Sequence, residues 1–288
     1  DPVESVALVA PKLTDLLRIS PHESPIGLNI DPVPNPLFRG TNEAAAAAKA
    51  AYYSAAFILR SVAAMELDID PDEIVINCLR AAPRPEGGYL GEIVFSDFLP
   101  NGAGFAQWMN NRLLWLLSVS VGEGPGGDFF EDLTSEAHRN SCDLSCPDCI
   151  RHYRNLPYHG LLDWRLGLSL IRILLRSDHR CGLDGEGNAG FAPPELADWP
   201  NLARQLREQL CENFGWAATE YAGLPGFTFD GADGGERAGI IIHPLWSRDN
   251  PSGRLAEAVA EAGGAGNVIF ADTFNLARRM SWAYSQWT

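Results

Sequence analysis

Three cysteines fall within eight positions in "CDLSCPDC", residues 142–149, and this constrains the chain more than any other stretch. Zinc takes four ligands in a tetrahedron, and thiolates close together on a tight loop can fill three of its corners. Asp143, Ser145 and Asp148 stand between the thiols, and polar neighbours do not suit three ordinary buried cysteines. CxxC is also a redox motif, but a third cysteine upstream and the lack of a thioredoxin-like βαβ context favour a metal. Cys142, Cys146 and Cys149 are therefore the expected ligands. His159, just ahead of an apolar helix pattern, is the first expectation for the fourth ligand, through a neutral imidazole nitrogen. His138, upstream of Cys142, and His152, just after Cys149, remain alternatives. Cys181 and Cys211 would need a long loop closure. A zinc held by four protein ligands has no open position, so its role would be structural.

Six cysteines in 288 residues, three of them clustered, do not resemble a secreted disulfide framework. A cytoplasmic setting with thiols free for a metal fits better. No run of 18 or more apolar residues is present, and no charged segment precedes a short apolar one, so neither a membrane span nor a signal peptide is expected. The chain opens on Asp1 rather than methionine, which suggests a processed product or a piece of a longer polypeptide. At 46% hydrophobic and 20% charged it can bury a sizeable core. Its net charge of −15 argues against a generic DNA-coating protein, because phosphates require exposed cations. The basic residues are 20 arginines and 2 lysines, Lys12 and Lys49. Neither lysine sits in a Gly-Lys-Ser/Thr context or a plausible nuclease ExK pair, so no P-loop motor is encoded.

The chain reads as mixed α/β (α+β). Residues 5–19 have strand character, and a proline-rich loop covers 20–36. A long helix of high propensity spans 41–69, with Thr41 or Asn42 as its cap. Strand composition follows at 72–82, then strand, glycine turn and helix over 87–121. "GEGPGGD" (122–128) formally contains GxGxxG, but Pro125 interrupts it and no helix pattern follows, so it reads as a loop. After the cysteines, Leu161, Leu162, Leu166, Leu168, Ile171, Leu174 and Leu175 recur at helical spacing. A Gly/Pro-rich acidic stretch at 177–200 suggests a boundary, giving a module at 1–180 and a C-terminal α/β subdomain at 181–288. The latter reads as a helix (200–213), strands within 226–246, a helix near 252–263 and a strand at 267–272. Asp233, Gly234 and Gly235 between two strand-like runs signal a hairpin.

Other constellations carry weaker chemistry. Gly102 and Gly104 in "DFLPNGAGF" permit a tight turn whose amides could meet a phosphate or a partner, although a packing turn explains them as well. Arg139, Arg151, Arg154, Arg165, Arg172, Arg176 and Arg180 make the cysteine region locally basic. Arg151, Arg154 and Arg172 are candidate nucleic-acid or partner contacts, with salt bridges as the competing role. Glu220, Asp230, Asp233 and Glu236 could be imagined as a metal-dependent nuclease or hydrolase cluster, yet the following strand offers His243 where a lysine is needed. Trp246, Trp282, Trp287 and Tyr284 form an aromatic end suited to packing.

"SCPDCIRHYRNLPYHGLLDWRLGLSLI", with "AAAAAKAAYYSAAFILRSVAAMELDIDPDEIVIN" and "VFSDFLPNGAGFAQWM" upstream, resembles the zinc-binding module attached to certain DEAD/DEAH-type superfamily 2 helicases. This is the MrfA-like zinc domain, with a relative in DrmB of the DISARM anti-phage system; "GIIIHPLW" and "DTFNLARRMSWAYSQW" are similar to the DrmB tail. The MrfA-like version has a fourth cysteine where this chain has Asn155. The resemblance implies a structural Zn2+ and a non-catalytic accessory role in anti-phage defence or DNA repair. It implies as partner a helicase subunit or N-terminal helicase region, with DNA met through the complex and no membrane. The zinc would then fix the "LDWRL" helix as a docking surface. A purely structural interaction protein is the remaining alternative.

Overall fold

Alanine dominates residues 44–64, and a helix that is small and apolar on every side belongs inside a fold. The computed structural model, which describes residues 11–34, 41–84, 87–185, 189–231 and 234–284, places it there. The side chains of 41, 42 and 282–284 also lie outside the description, as do the expected capping groups of Thr41 and Asn42. Helix α1 (Thr41–Leu67) has Ala47, Ala48, Ala50, Ala51 and Ala55 with no exposed surface.

The first sheet is antiparallel and built around β4 (Tyr89–Asp97). Strand β1 (Leu16–Ile19) pairs one edge, and β2 (Ile74–Ile76) and β3 (Arg80–Pro83) follow one another along the other. The single strand expected over 72–82 is thus two short ones. Residues 5–10 of the expected first strand lie outside the described residues. Beyond β4 come α2 (Phe105–Asn111), α3 (Leu113–Ser120), α4 (Asp128–Thr134) and the six-residue α5 (Glu136–Ser141).

Helix α6 (Trp164–Leu175) lies against α1. A Cβ on Gly167 would come 2.9 Å from the Ser54 backbone carbon, so only glycine permits this approach. The Ser54 hydroxyl accepts from the Asp163 amide at 2.8 Å, pinning the start of α6 to the middle of α1. Trp164, Leu168, Leu170 and Ile171 are fully buried, each such side chain contributing about 1.5–3 kcal/mol.

The second sheet has the order β5 (Ala217–Tyr221), β6 (Leu224–Asp230), β7 (Glu236–Ile242) and β8 (Val268–Asp272). The first three are antiparallel, and β8 runs parallel to β7 after a crossover through α9 (Gly253–Glu261). The β6–β7 hairpin stands where the glycine signal put it, with Asp233 itself outside the described residues. Helices α7 (Pro194–Ala197) and α8 (Trp199–Phe214) precede this sheet and α10 (Thr273–Tyr284) follows it. The architecture is mixed α+β, with two sheets and ten α-helices among the described residues.

Contacts run across position 180. Trp246 donates its indole N–H to the Cys181 carbonyl at 2.9 Å, and Arg172 of α6 binds Glu195 of α7 at 2.6 Å. One continuous apolar core includes residues from both sheets. Trp246 lies in it, 5.0 Å from Trp199; Trp282, Tyr284 and Trp287 fall outside the described side chains. Among the described residues no helix is long and apolar enough to cross a membrane.

Candidate metal centre

Ser135 opens α5 by accepting from the His138 amide at 3.2 Å, an N-cap that fixes the following turn. His138 then points its ring inward. Its Nδ1 hydrogen-bonds the Leu133 carbonyl at 2.7 Å, which places the proton on Nδ1 and leaves Nε2 with a free lone pair. That Nε2 lies 3.5 Å from the Cys146 sulfur.

The three cysteines occupy the turn that leads to α6. The Cys149 amide donates to the Cys146 carbonyl at 3.2 Å, and the Cys146 amide donates to the Cys149 sulfur at 3.0 Å. Cys146 and Cys149 sulfurs are 3.6 Å apart, and those of Cys142 and Cys149 are 3.9 Å apart. With His138, one ligand atom from each residue falls within 4.8 Å of every other. A tetrahedral ion with Zn–S of about 2.3 Å and Zn–N of about 2.0–2.1 Å requires edges of roughly 3.5–3.8 Å. The donor set fits such an ion in both spacing and chemistry.

The electrostatics of the thiols agree. The Cys142 thiol, donating to Cys149 and partly buried, is pushed far above the ordinary range. Burial and the bond to Cys149 also raise Cys146. Cys149 is lowered to about 5, chiefly by the Cys142 hydrogen bond and against its own burial, with the Cys146 amide assisting. Ionisation of one sulfur is thus favoured at the expense of its neighbours, and a divalent cation would let all three ionise together.

The surroundings hold the turn rigidly. Trp164 donates its amide to the Leu144 carbonyl at 2.9 Å and its indole to the Cys142 carbonyl at 3.4 Å, with its ring centroid 5.6 Å from that of His138. Ser145 donates to the Leu162 carbonyl at 3.1 Å and accepts from Arg151 at 2.8 Å.

His159, the first expectation, is placed elsewhere. Its Nε2 faces the Asn155 side-chain oxygen at 2.8 Å and the His152 carbonyl at 3.2 Å. Asn155 is the reason: nearly fully buried, it also binds the Ile150 carbonyl and the His152 amide, and so folds the 3-10 turn Tyr153–Tyr158 around itself. His152 packs edge-on against Phe57 and contacts Arg60. The structure thus brings His138, and neither of the other two, to the cysteines. Sequence inspection overlooked α5, whose Ser135 cap and first-turn Glu136 were its available signal.

The glycine turn before α2 already holds an anion of its own. The buried Asp97 carboxylate accepts from the amides of Ala103 (2.5 Å), Gly104 (2.6 Å), Phe105 (3.2 Å) and Ala106 (2.8 Å). The Gly102 amide binds the Leu99 carbonyl. Gly102 and Gly104 therefore shape the turn, at φ of 80° and 85°, and do not offer amides to a phosphate.

The candidate arginines divide. Arg172 is buried and paired with Glu195 and Glu123, so it braces the core and cannot meet nucleic acid. Arg151 is tied to Ser145, and Arg154 is exposed but paired with Asp72 at 3.0 Å. The "LDWRL" segment is buried at Leu162, Trp164 and Leu166, so its apolar face is core rather than docking surface. Glu220 pairs with Pro225 across β5–β6, whereas Asp230 faces Glu236 at the far end of β6. At about 3.3 Å per residue the two acids lie on the order of 16 Å apart along the strand, too far for one metal cluster.

The chain is 29% identical over 127 residues to Druantia protein DruE of Escherichia coli (strain UMEA 4076-1). The match covers 43% of this chain and only 6% of that protein. No protein-family model matches the chain. No solved structure matches it.

Proposed function

We propose that this chain is a zinc-stapled, non-catalytic accessory module of an anti-phage defence machine that translocates on DNA. The observation that carries the metal reading is the convergence of His138, Cys142, Cys146 and Cys149 within 4.8 Å. Three thiolates and one imidazole suit zinc best among the common divalent ions. When bound, the ion would close the turn between α5 and α6 with no position left for substrate, so its contribution is rigidity. The similarity to DruE, a component of an anti-phage defence system, supports the defence setting. The likeness of the cysteine region to modules attached to superfamily 2 helicases supports a translocase partner, as a separate subunit or an N-terminal region. DNA would be met through that assembly, in the cytoplasm.

Native mass spectrometry of the complex purified from its own host, without added metal, tests both halves. One zinc per chain and a co-purifying translocase polypeptide are expected. A chain of bare calculated mass with free thiols overturns the metal reading; a metal-loaded chain with no nucleic-acid motor beside it overturns the accessory reading.

A further inference from the structure

All six cysteines are unpaired thiols, and three of them crowd the turn over 142–149. Sulfurs placed closely enough to share a metal are also close to one another, and here the three are not equivalent. Cys149 is the common neighbour, 3.6 Å from the Cys146 sulfur and 3.9 Å from that of Cys142. Cys142 is only 3% exposed, at the C-terminal end of α5, and its carbonyl accepts from the Trp164 indole and from Arg165. Cys146 and Cys149 are half-buried, so an oxidant from solution meets them first.

These two also belong to one tight turn. The Cys149 amide donates to the Cys146 carbonyl, and the Cys146 amide donates to the Cys149 sulfur. A disulfide needs sulfurs about 2.05 Å apart, so the pair must close by roughly 1.5 Å, a shift that side-chain rotation supplies. Two residues between the cysteines is also the spacing of reversible dithiol sites.

We infer that the centre is an oxidation site, at which hydrogen peroxide joins Cys146 to Cys149 in a disulfide, expels the metal and leaves Cys142 a thiol. The loaded state of this site rests on the metal reading above. One of the two thiolates attacks a peroxide oxygen, the O–O bond breaks, and a sulfenic acid and a hydroxide form. The second thiolate then displaces hydroxide from the sulfenic sulfur and closes the S–S bond. The sulfurs give up two electrons, peroxide takes both, and two protons from solvent turn the two hydroxides into water. Cys142 and His138 remain, two donors where zinc requires four, so the ion leaves. That unfastens α5 from the cysteine turn, while α1 and α6 stay joined at Ser54 and Gly167.

Hydrogen peroxide treatment of the full chain, in zinc-loaded and metal-free forms, tests the inference. A chromogenic chelator reads released zinc, and differential alkylation with peptide mapping reads each thiol. Cys78, exposed and outside the centre, serves as an internal clock. One zinc should be released for each Cys146–Cys149 disulfide, no later than Cys78 is oxidised, with Cys142 still open to alkylation. Dithiothreitol and fresh zinc should restore the loaded form. Amide exchange over residues 135–151 should rise about tenfold or more on oxidation, while that of α1 and α6 stays within about twofold. A chain that takes up no zinc overturns the metal reading alone, and the disulfide must then form in the metal-free chain or the oxidation site fails as well. Zinc and thiols retained after Cys78 is fully oxidised, a disulfide between Cys142 and Cys149, or sulfinic acid in place of a disulfide overturns the inference.

Discussion

Two turns in this molecule look alike as candidate ligand sites, and they differ in what answers them from inside. The turn over 97–106 gathers four backbone donors, and the Asp97 carboxylate occupies all of them. The turn over 142–149 gathers three sulfurs and an imidazole, which face one another with no cationic side chain among the four. Donors matched by a protein group of opposite charge make a structural joint. Donors of one kind, facing one another without such a match, require something from solution. The distinction rests on which side chain lies at the centre, and motif spacing does not report it.

The comparison breaks most easily at the cysteine turn. Cys149→Ala removes the sulfur closest to both others, and His138→Ala removes the imidazole. Each should abolish stoichiometric metal binding and lower stability by several kcal/mol. The loss should fall below the ~10–16 kcal/mol seen where metal alone folds a peptide, because α1 and α6 already form a large core. His159→Ala should leave metal content at one per chain. Elemental analysis with chemical denaturation reads all three, and retention of metal by His138→Ala together with its loss in His159→Ala would exchange the two histidines' roles.

The Asp97 turn should give way by less. Asp97→Ala strips a buried anion from four amides and should cost about 3 kcal/mol, the range for a broken buried charged network. The vacated amides then resemble the open nest that the glycine pattern suggests. Millimolar sulfate or phosphate should therefore raise the melting temperature of Asp97→Ala more than that of the unaltered protein. Equal salt responses in the two proteins would show that the carboxylate does not act as a stand-in anion.

Much of this fold was readable along the chain, and the reasons are local. α1 has a long run of good helix formers, α8 and α9 have clear apolar periodicity, and β8 opens on the strand-favouring run Val268, Ile269 and Phe270. The three cysteines were readable because their spacing is a property of one short loop. The fourth donor was not, since its choice depends on a six-residue helix too short to show periodicity and on an asparagine that binds the competing histidine. Asp97 was hidden for a related reason: its role depends on the chain doubling back over it six to nine residues later. Arg172, a candidate contact in the sequence, is buried by packing against Glu195, which no local pattern signals.

A third arrangement sharpens the contrast, because it has neither an ion nor a carboxylate at its centre. His243 is fully enclosed near Trp199 and Trp246, each 6.1 Å away, and burial lowers it to about 3, with His179 adding to the shift. Burial, with Arg172 and Arg176 nearby, lowers His179 to about 4. Unfolded imidazoles take up protons below about 6.5, whereas these two stay neutral in the folded chain until much lower pH. The unfolded state thus binds more protons in that window, and folding stability must fall as pH falls. Between pH 7 and 5.5 the expected loss is about 1 kcal/mol for each histidine, roughly 2 together, and it should continue until the folded groups titrate near 4 and 3. Metal ligation also weakens in acid, so the metal-free Cys149→Ala protein is the background in which to measure the slope. Denaturant midpoints in that background that stay level from pH 7 to 5.5 would mean that both imidazoles find protons, or partners, that the packing around them denies.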